Sequence, residues 1–367
     1  MEVYLTKDMC TFPYYLGKNH GWDATYAYFT LGDPLENAEF ERYCKLHLLG
    51  LTVNYDEQIE LVKAYLRENA QNIDVLSFFL YGGASYKLAT YAKRLNPKIK
   101  VYNKLDLSDS GFSHFYDGTF VRKIHILPEY YKSRNIDFFT VENRSFFEQF
   151  EKMLLFSRRI GYLPNTVSEF GLSEAFLMEN TPKQNKIVMV GRLGVAEKNA
   201  ELLIESLIQI GEQALTGWQV YLIGPVSNGF DEYLAQKLAA NGWLESVVVL
   251  TGELTDRTAL YQHYKEAKII ASTSTNESFG IATIEGMYFG AYPVITNYGS
   301  ITADITANGS VGTVTGNAAA AYAAGLLEAM TKPALPSAKV MAYARVEFSS
   351  ARWASVLDGY LTELIQG

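Results

Sequence analysis

Lys186-Ile-Val-Met-Val-Gly-Arg-Leu-Gly-Val-Ala-Glu-Lys-Asn199, followed by Ala200-Glu-Leu-Leu-Ile-Glu-Ser-Leu-Ile-Gln-Ile-Gly-Glu212, contains a strand, a turn and a helix in that order. Lys186–Val190 is a short apolar run of strand length, and Ala200–Glu212 has apolar residues at helical spacing. The same alternation continues downstream. Gln219–Ile223, Val247–Leu250, Ile269–Ser272 and Tyr292–Thr296 read as strands. Phe230–Asn241, Thr258–Glu266 and Ile281–Phe289 read as the helices between them. Strands alternating with helices predict a parallel sheet covered on both faces.

The first half repeats the pattern less regularly. Val3–Thr6, Thr25–Phe29, Asp74–Leu80, Ile99–Leu105, Phe138–Val141 and Ile160–Leu163 are the expected strands. Glu57–Asn69 and Ser85–Leu95 are the expected helices, the second with Leu88, Tyr91, Ala92 and Leu95 on one face. Ser173–Asn185 is polar and Pro-containing and reads as a linker. The tail Phe348–Ile365 has a helical apolar stripe of Trp353, Leu357, Leu361 and Leu364. The predicted fold class is α/β, with two domains of 1–172 and 183–347 and a C-terminal helix after them.

Composition narrows the function. With 367 residues and 20% charged residues the chain has a globular balance and length for two domains. A net charge of −8 argues against nucleic acid as the main partner. Cys10 and Cys44 have no metal-ligand spacing and read as free thiols of a reducing compartment or as a disulfide. Met1–Asp8 reads as a short strand rather than a secretory signal. No apolar run of about 18 residues occurs. Cytoplasm is the expected location. No phosphate-binding G-x-x-x-x-G-K-[ST] loop, G-x-G-x-x-G, H-E-x-x-H or G-x-S-x-G occurs, and no Asp-x-Asp pair.

In open α/β sheets ligands bind outside the carboxyl ends of the strands. Ser274-Thr-Asn-Glu277-Ser-Phe-Gly280-Ile-Ala-Thr-Ile-Glu285-Gly-Met-Tyr-Phe-Gly290 follows such an end. Glu277 falls in the predicted loop and Glu285 about one turn inside the helix. Helix N-termini carry unsatisfied N–H groups that suit a phosphate. Ionised carboxylates accept hydrogen bonds and suit sugar or ribose hydroxyls. Gly280 allows close backbone approach. Arg192 and Lys198 follow the strand Lys186–Val190 and supply positive charge at the same end of the sheet. If a nucleotide diphosphate binds there, cations and a helix terminus must neutralise it without a metal.

These motifs resemble the GT-B glycosyltransferases of family 4, the retaining bacterial type. The resemblance rests on Gly191-Arg-Leu193, Glu197-Lys-Asn199, Glu277-Ser-Phe-Gly-Ile281, Glu285-Gly-Met287 and Gly290-Ala-Tyr-Pro-Val294, and covers about Lys183 to Gly316. In the first half only Leu163-Pro-Asn165 matches in detail. The resemblance implies two Rossmann-like domains facing a cleft, with the tail helix crossing back to the first. It implies a nucleotide-sugar donor, a UDP-sugar by family frequency, and a glycan-precursor, lipid-linked or protein acceptor, as in the making of cell-surface polysaccharide. Glu277 would contact donor-sugar hydroxyls, and Ser278, Phe279, Gly280 and Ile281 would cradle sugar and phosphate. Glu285 would bind ribose, Arg192 and Lys198 the diphosphate, and Gly252-Glu-Leu254 the base. No cofactor or metal is implied.

The acceptor side is harder to read. Family members often carry a His-Asp pair after the fourth strand, where this chain has Lys104-Leu105-Asp106. Asp106 is the candidate there, with His114 as a nearby substitute or a surface loop residue. The stretch Phe12-Pro-Tyr-Tyr-Leu-Gly17 reads as a loop whose aromatics pack either a sugar or the core. Lys87, Lys93, Arg94, Lys98, Lys100 and Lys104 form a basic run with no acidic residue, which Phe120–Arg134 extends. That run is either a contact for an anionic membrane face or a solvated surface. Besides an active transferase, the pattern admits a catalytically inactive nucleotide-sugar-binding partner subunit.

Overall fold

The computed structural model describes residues 5–79, 82–113, 131–153, 156, 158–227 and 229–367. They form two compact units, Met1–Gly171 with Ser350–Gly367, and Leu172–Ser349. Among the described residues no helix is long and apolar enough to cross a membrane.

The second unit holds six strands: β7 Gln184–Val190, β8 Gln219–Ile223, β9 Val248–Gly252, β10 Ala267–Ser272, β11 Tyr292–Thr296 and β12 Thr313–Thr315. All pairs are parallel, in the order β12-β11-β10-β7-β8-β9. Read from β9, this is the doubly wound order in which the chain reverses direction between β7 and β10. Every residue of β11 is buried, and Ile187, Val188 and Met189 of β7 are buried with it. That continuous burial is what helices on both faces impose on a parallel sheet. Helices Ala200–Ile210 and Ala319–Thr331 pack together, and Ile281–Tyr288 lies against β10 and Ser337–Glu347.

The first unit has a parallel pair, β1 Ala24–Phe29 and β2 Cys44–Gly50, and a parallel sheet in the order β3-β4-β5-β6. Its strands are β3 Val75–Phe79, β4 Lys100–Lys104, β5 Phe138–Val141 and β6 Ile160–Tyr162. The α/β class is as expected; β2 and β12 were missed by periodicity. Cys10 and Cys44 are free and buried, and burial pushes both thiols up to about 12.

Two local expectations are corrected. Leu5 and Thr6 are not strand, and residues 8–20, read as strand end and loop, form the helix Asp8–His20 despite Pro13. Phe12, Tyr14, Tyr15 and Leu16 are buried in it, so the aromatics belong to the core. Tertiary burial outweighs the breaker. Gly17 lets this helix run close to the next segment, since a Cβ there would lie 1.8 Å from the Tyr43 carbonyl oxygen.

The expected linker is irregular over 179–183, but its flanks are structured. Glu174–Met178 is a helix capped by the Ser173 hydroxyl, and residues 184 and 185 already belong to β7. The Lys265 ammonium holds the helix by the Phe176 carbonyl, at 2.9 Å, and by Glu179, at 2.6 Å. The tail helix Ser350–Gln366 packs on Asp8–His20, burying Trp353, Ala354, Leu357 and Leu361.

Candidate functional site

The turn after β7 and the loop after β10 meet at the reversal point of the second sheet. The Thr275 N–H donates to the Glu197 carbonyl at 2.9 Å, and the Thr273 hydroxyl to the Lys198 carbonyl at 3.0 Å. These cross-links bring side chains 79 residues apart into contact: the Lys198 ammonium donates to Glu277 Oε1 at 2.5 Å. The Ser274 hydroxyl donates to the same oxygen at 2.7 Å. Lys198, Ser272, Ser274, Glu277, Gly280 and Thr283 border a cavity of about 20 Å3.

Gly280 opens the helix Ile281–Tyr288 in the left-handed region, at φ 81°, and no side chain caps that N-terminus. A Cβ on Gly280 would lie 2.9 Å from the Tyr298 hydroxyl. The glycine is therefore required by backbone conformation and by Tyr298. The result is a helix N-terminus with partial positive charge beside an ammonium and a carboxylate.

The remaining residues occupy different surroundings. Arg192 is exposed, with no hydrogen bond or ion pair among the described residues. Ser278 is half-buried and Ile281 exposed, whereas the Phe279 ring is buried against Phe348. Gly252 ends β9 at φ 72°, and Leu254 follows it half-buried.

Glu285 has partners that periodicity did not reveal. Tyr261 donates to its Oε1 at 2.7 Å and Tyr264 to its Oε2 at 3.3 Å. Arg257 in turn donates to the Tyr261 hydroxyl at 2.7 Å. Burial raises the Glu285 carboxyl, and the tyrosine bonds and Arg257 oppose it. Each oxygen keeps lone-pair capacity for a further donor. The only sequence signal was the i, i+3 spacing of Tyr261 and Tyr264 on one helix face.

In the first unit Leu105 turns into the core. Asp106 takes φ 55°, and Glu142 holds that turn by accepting the N–H groups of Asp106, at 3.1 Å, and Leu107. Asp106 Oδ1 is buried without a hydrogen-bond partner among the described residues. Glu142 is fully buried, and desolvation pushes its carboxyl up to about 8, with Lys104 opposing and Asp106 adding to the shift. Lys104 is buried too, 3.4 Å from Asp8 and bonded to Asn165. Asp8 accepts both the N–H and the hydroxyl of Thr166, at 3.1 and 2.9 Å. Glu142 did not stand out in the sequence as a site residue, and Lys104 stood out only as the end of the basic run. His114 lies outside the described residues, as do 120–130 of the expected basic extension.

Residues 176–346 match the family described as Glycosyl transferases group 1. That stretch is similar to a group 1 glycosyltransferase domain. The matched stretch contains the whole Lys198–Glu277–Glu285 constellation. No curated protein sequence matches the chain. Among solved structures it is similar to HepE of Anabaena in complex with UDP and glucose. The TM-score there is 0.67 at 15% identity, over 97% of this chain and 95% of that one. Sucrose-phosphate synthase of Thermosynechococcus elongatus gives 0.69 at 15%, over 99% and 93%. The lipopolysaccharide outer core galactosyltransferase WaaB, in its apo form, gives 0.66 at 15%, over 97% and 94%. At these identities the likeness concerns architecture, and the architecture is GT-B, with the matched stretch lying in the second unit.

Proposed function

We propose that the chain is a retaining, family 4 type glycosyltransferase that moves a sugar from a nucleotide-diphosphate sugar to a hydroxyl acceptor. The observation that carries this reading is the Lys198–Glu277 pair, at 2.5 Å, beside an uncapped helix N-terminus at the reversal point of the sheet. The group 1 domain supports a glycosyltransferase, and the UDP and glucose bound to the Anabaena relative support a UDP-sugar donor.

In this reading the diphosphate draws on Lys198, Arg192 and the N–H groups following Gly280. Glu277, released from Lys198, accepts sugar hydroxyls. Glu285, held by its two tyrosines, accepts ribose hydroxyls, and the base lies at Gly252–Leu254. Positioning and stabilisation of the departing charge provide the catalysis, and the leaving diphosphate assists acceptor deprotonation on the same face. No covalent sugar–enzyme intermediate and no metal is required. The first unit binds the acceptor, a glycan precursor, glycolipid or glycoprotein, with Asp106 as its candidate polar group.

A panel of UDP-, GDP- and ADP-sugars, followed for donor hydrolysis with and without EDTA, tests the reading. One donor class should turn over slowly, with EDTA making no difference. Glu285→Ala should weaken free nucleotide binding about tenfold, the loss of roughly one charge-assisted hydrogen bond. Glu277→Ala should leave free nucleotide binding intact and lower discrimination between sugars. Equal losses of nucleotide affinity in both variants contradict these roles. Donor binding without turnover in the presence of acceptor candidates replaces the transferase with a nucleotide-sugar-binding partner subunit.

A further inference from the structure

The basic run of the first unit does not stay together in the fold. Lys93 pairs with Asp137 at 2.7 Å, and Lys104 is buried beside Asp8. Lys87 and Arg94, on the helix Gly83–Leu95, remain exposed without an ion pair among the described residues. They meet Lys132 and Arg134 around a concavity of about 460 Å3, which Lys63 of the helix Tyr55–Asn69 also lines. Tyr86, Tyr91 and Tyr131 complete it with Thr90 and Asn135, and among the described residues no carboxylate lines it.

We propose that this concavity is a binding site for a phosphate-bearing group, a phosphomonoester or diphosphate, separate from the donor site. Its volume falls in the range of small-molecule pockets, roughly 300–1,000 Å3. It is also a built feature. The Asn135 amide donates to the Thr90 hydroxyl at 2.8 Å, and that hydroxyl donates to the Tyr86 carbonyl at 2.9 Å. These bonds tie the segment before β5 to the helix wall. Arg134 lies 4.0 Å from the centroid of the Tyr131 ring, which orients its guanidinium.

The lining charges specify the ligand. Among the described residues five cations line this hollow, more than a single carboxylate offsets, whereas a phosphate presents several oxygens to forked guanidiniums and to ammonium point charges. Lys63 is only weakly committed elsewhere, through a solvent-facing pair with Glu60 at 2.7 Å. Tyr91 accepts from Arg67 at 3.3 Å, which leaves its own proton to donate. In a chain of net charge −8 this local excess of positive charge focuses small anions here. The site shares no residue with the corner of Asp106 and Glu142. It stands independently of the donor reading.

The same group arrives either on a bilayer lipid or on a soluble molecule, and the experiment separates the two. Inorganic pyrophosphate is titrated calorimetrically into the full chain and into a Lys87→Ala/Arg94→Ala variant. Both side chains are exposed, so the two proteins should have matching melting curves. One pyrophosphate site should be lost, or weakened at least tenfold, in the variant, and should persist in Lys198→Ala. Flotation is then run with phosphatidylglycerol and with phosphatidylcholine vesicles. Flotation specific to phosphatidylglycerol, competed by pyrophosphate and lost in the variant, assigns a lipid headgroup. Pyrophosphate binding without flotation assigns a soluble phosphorylated ligand. Equal binding by both proteins, or no binding by either, overturns the proposal.

Discussion

Glu142 shows how one buried side chain sets a local conformation and a pH response together. It pins two consecutive N–H groups of the turn that carries Asp106. Its folded-state pKa, raised by burial from 4.5 to about 8, means that the folded chain keeps a proton that the unfolded chain releases. The stabilisation is therefore complete below about pH 4.5 and is lost as pH rises towards 8. We expect the melting temperature to fall across that interval and the fall to be shallower in Glu142→Gln, as followed by circular dichroism. An equal slope in both proteins contradicts it. On the donor side, Tyr261→Phe removes the hydroxyl that orders Glu285 and should weaken UDP binding about fivefold, since a net hydrogen bond contributes roughly 1 kcal/mol. Calorimetry checks this, and unchanged affinity would separate Glu285 orientation from binding. Glu277, Glu285, Arg192 and Lys198 were readable as candidates because each has a motif position. Their partners were not, because Lys198 meets Glu277, and Tyr261 meets Glu285, only after the sheet brings their loops together.

Elements depend on a few backbone positions. Helix Ile281–Tyr288 begins at a left-handed glycine whose missing Cβ leaves room for the Tyr298 hydroxyl. Gly280→Ala should destabilise the fold by about 1–2 kcal/mol from conformation alone. Tyr298→Phe in the same chain should recover the steric part and no more. Urea unfolding of the single and double variants measures both, and a neutral Gly280→Ala would contradict the backbone argument. Most strands of the second sheet could be read because burial on both faces writes continuous apolar runs. The helix Asp8–His20 could not be read, because Pro13 and Gly17 look like loop residues until Ser350–Gln366 covers its aromatic face.

For the whole molecule, the chain returns to its first unit at the very end. Trp353, Leu357 and Leu361 are buried among residues of the first unit, including Tyr162, whose ring lies 5.2 Å from that of Trp353. Trp353→Ala should lower the stability of that unit by about 3–5 kcal/mol, as for other large buried side chains. Ending the chain after Ser349 should go further, leaving residues 172–349 folded and the first unit sensitive to protease. Calorimetry with limited proteolysis reads both, and a protease-resistant first unit in the truncated chain would contradict this dependence.

The sequence alone determined the α/β class, the parallel strands of the second unit and the loop-and-helix framework around Glu277 and Glu285. Those features are local: a burial pattern, a glycine, a helix start. Only the tertiary structure decided the strand order that sets β7 beside β10, the tyrosines that hold Glu285, the Glu142 clamp on Asp106 and the regrouping of the basic run. These join residues distant in sequence, and their geometry follows from how the layers pack rather than from any pattern along the chain.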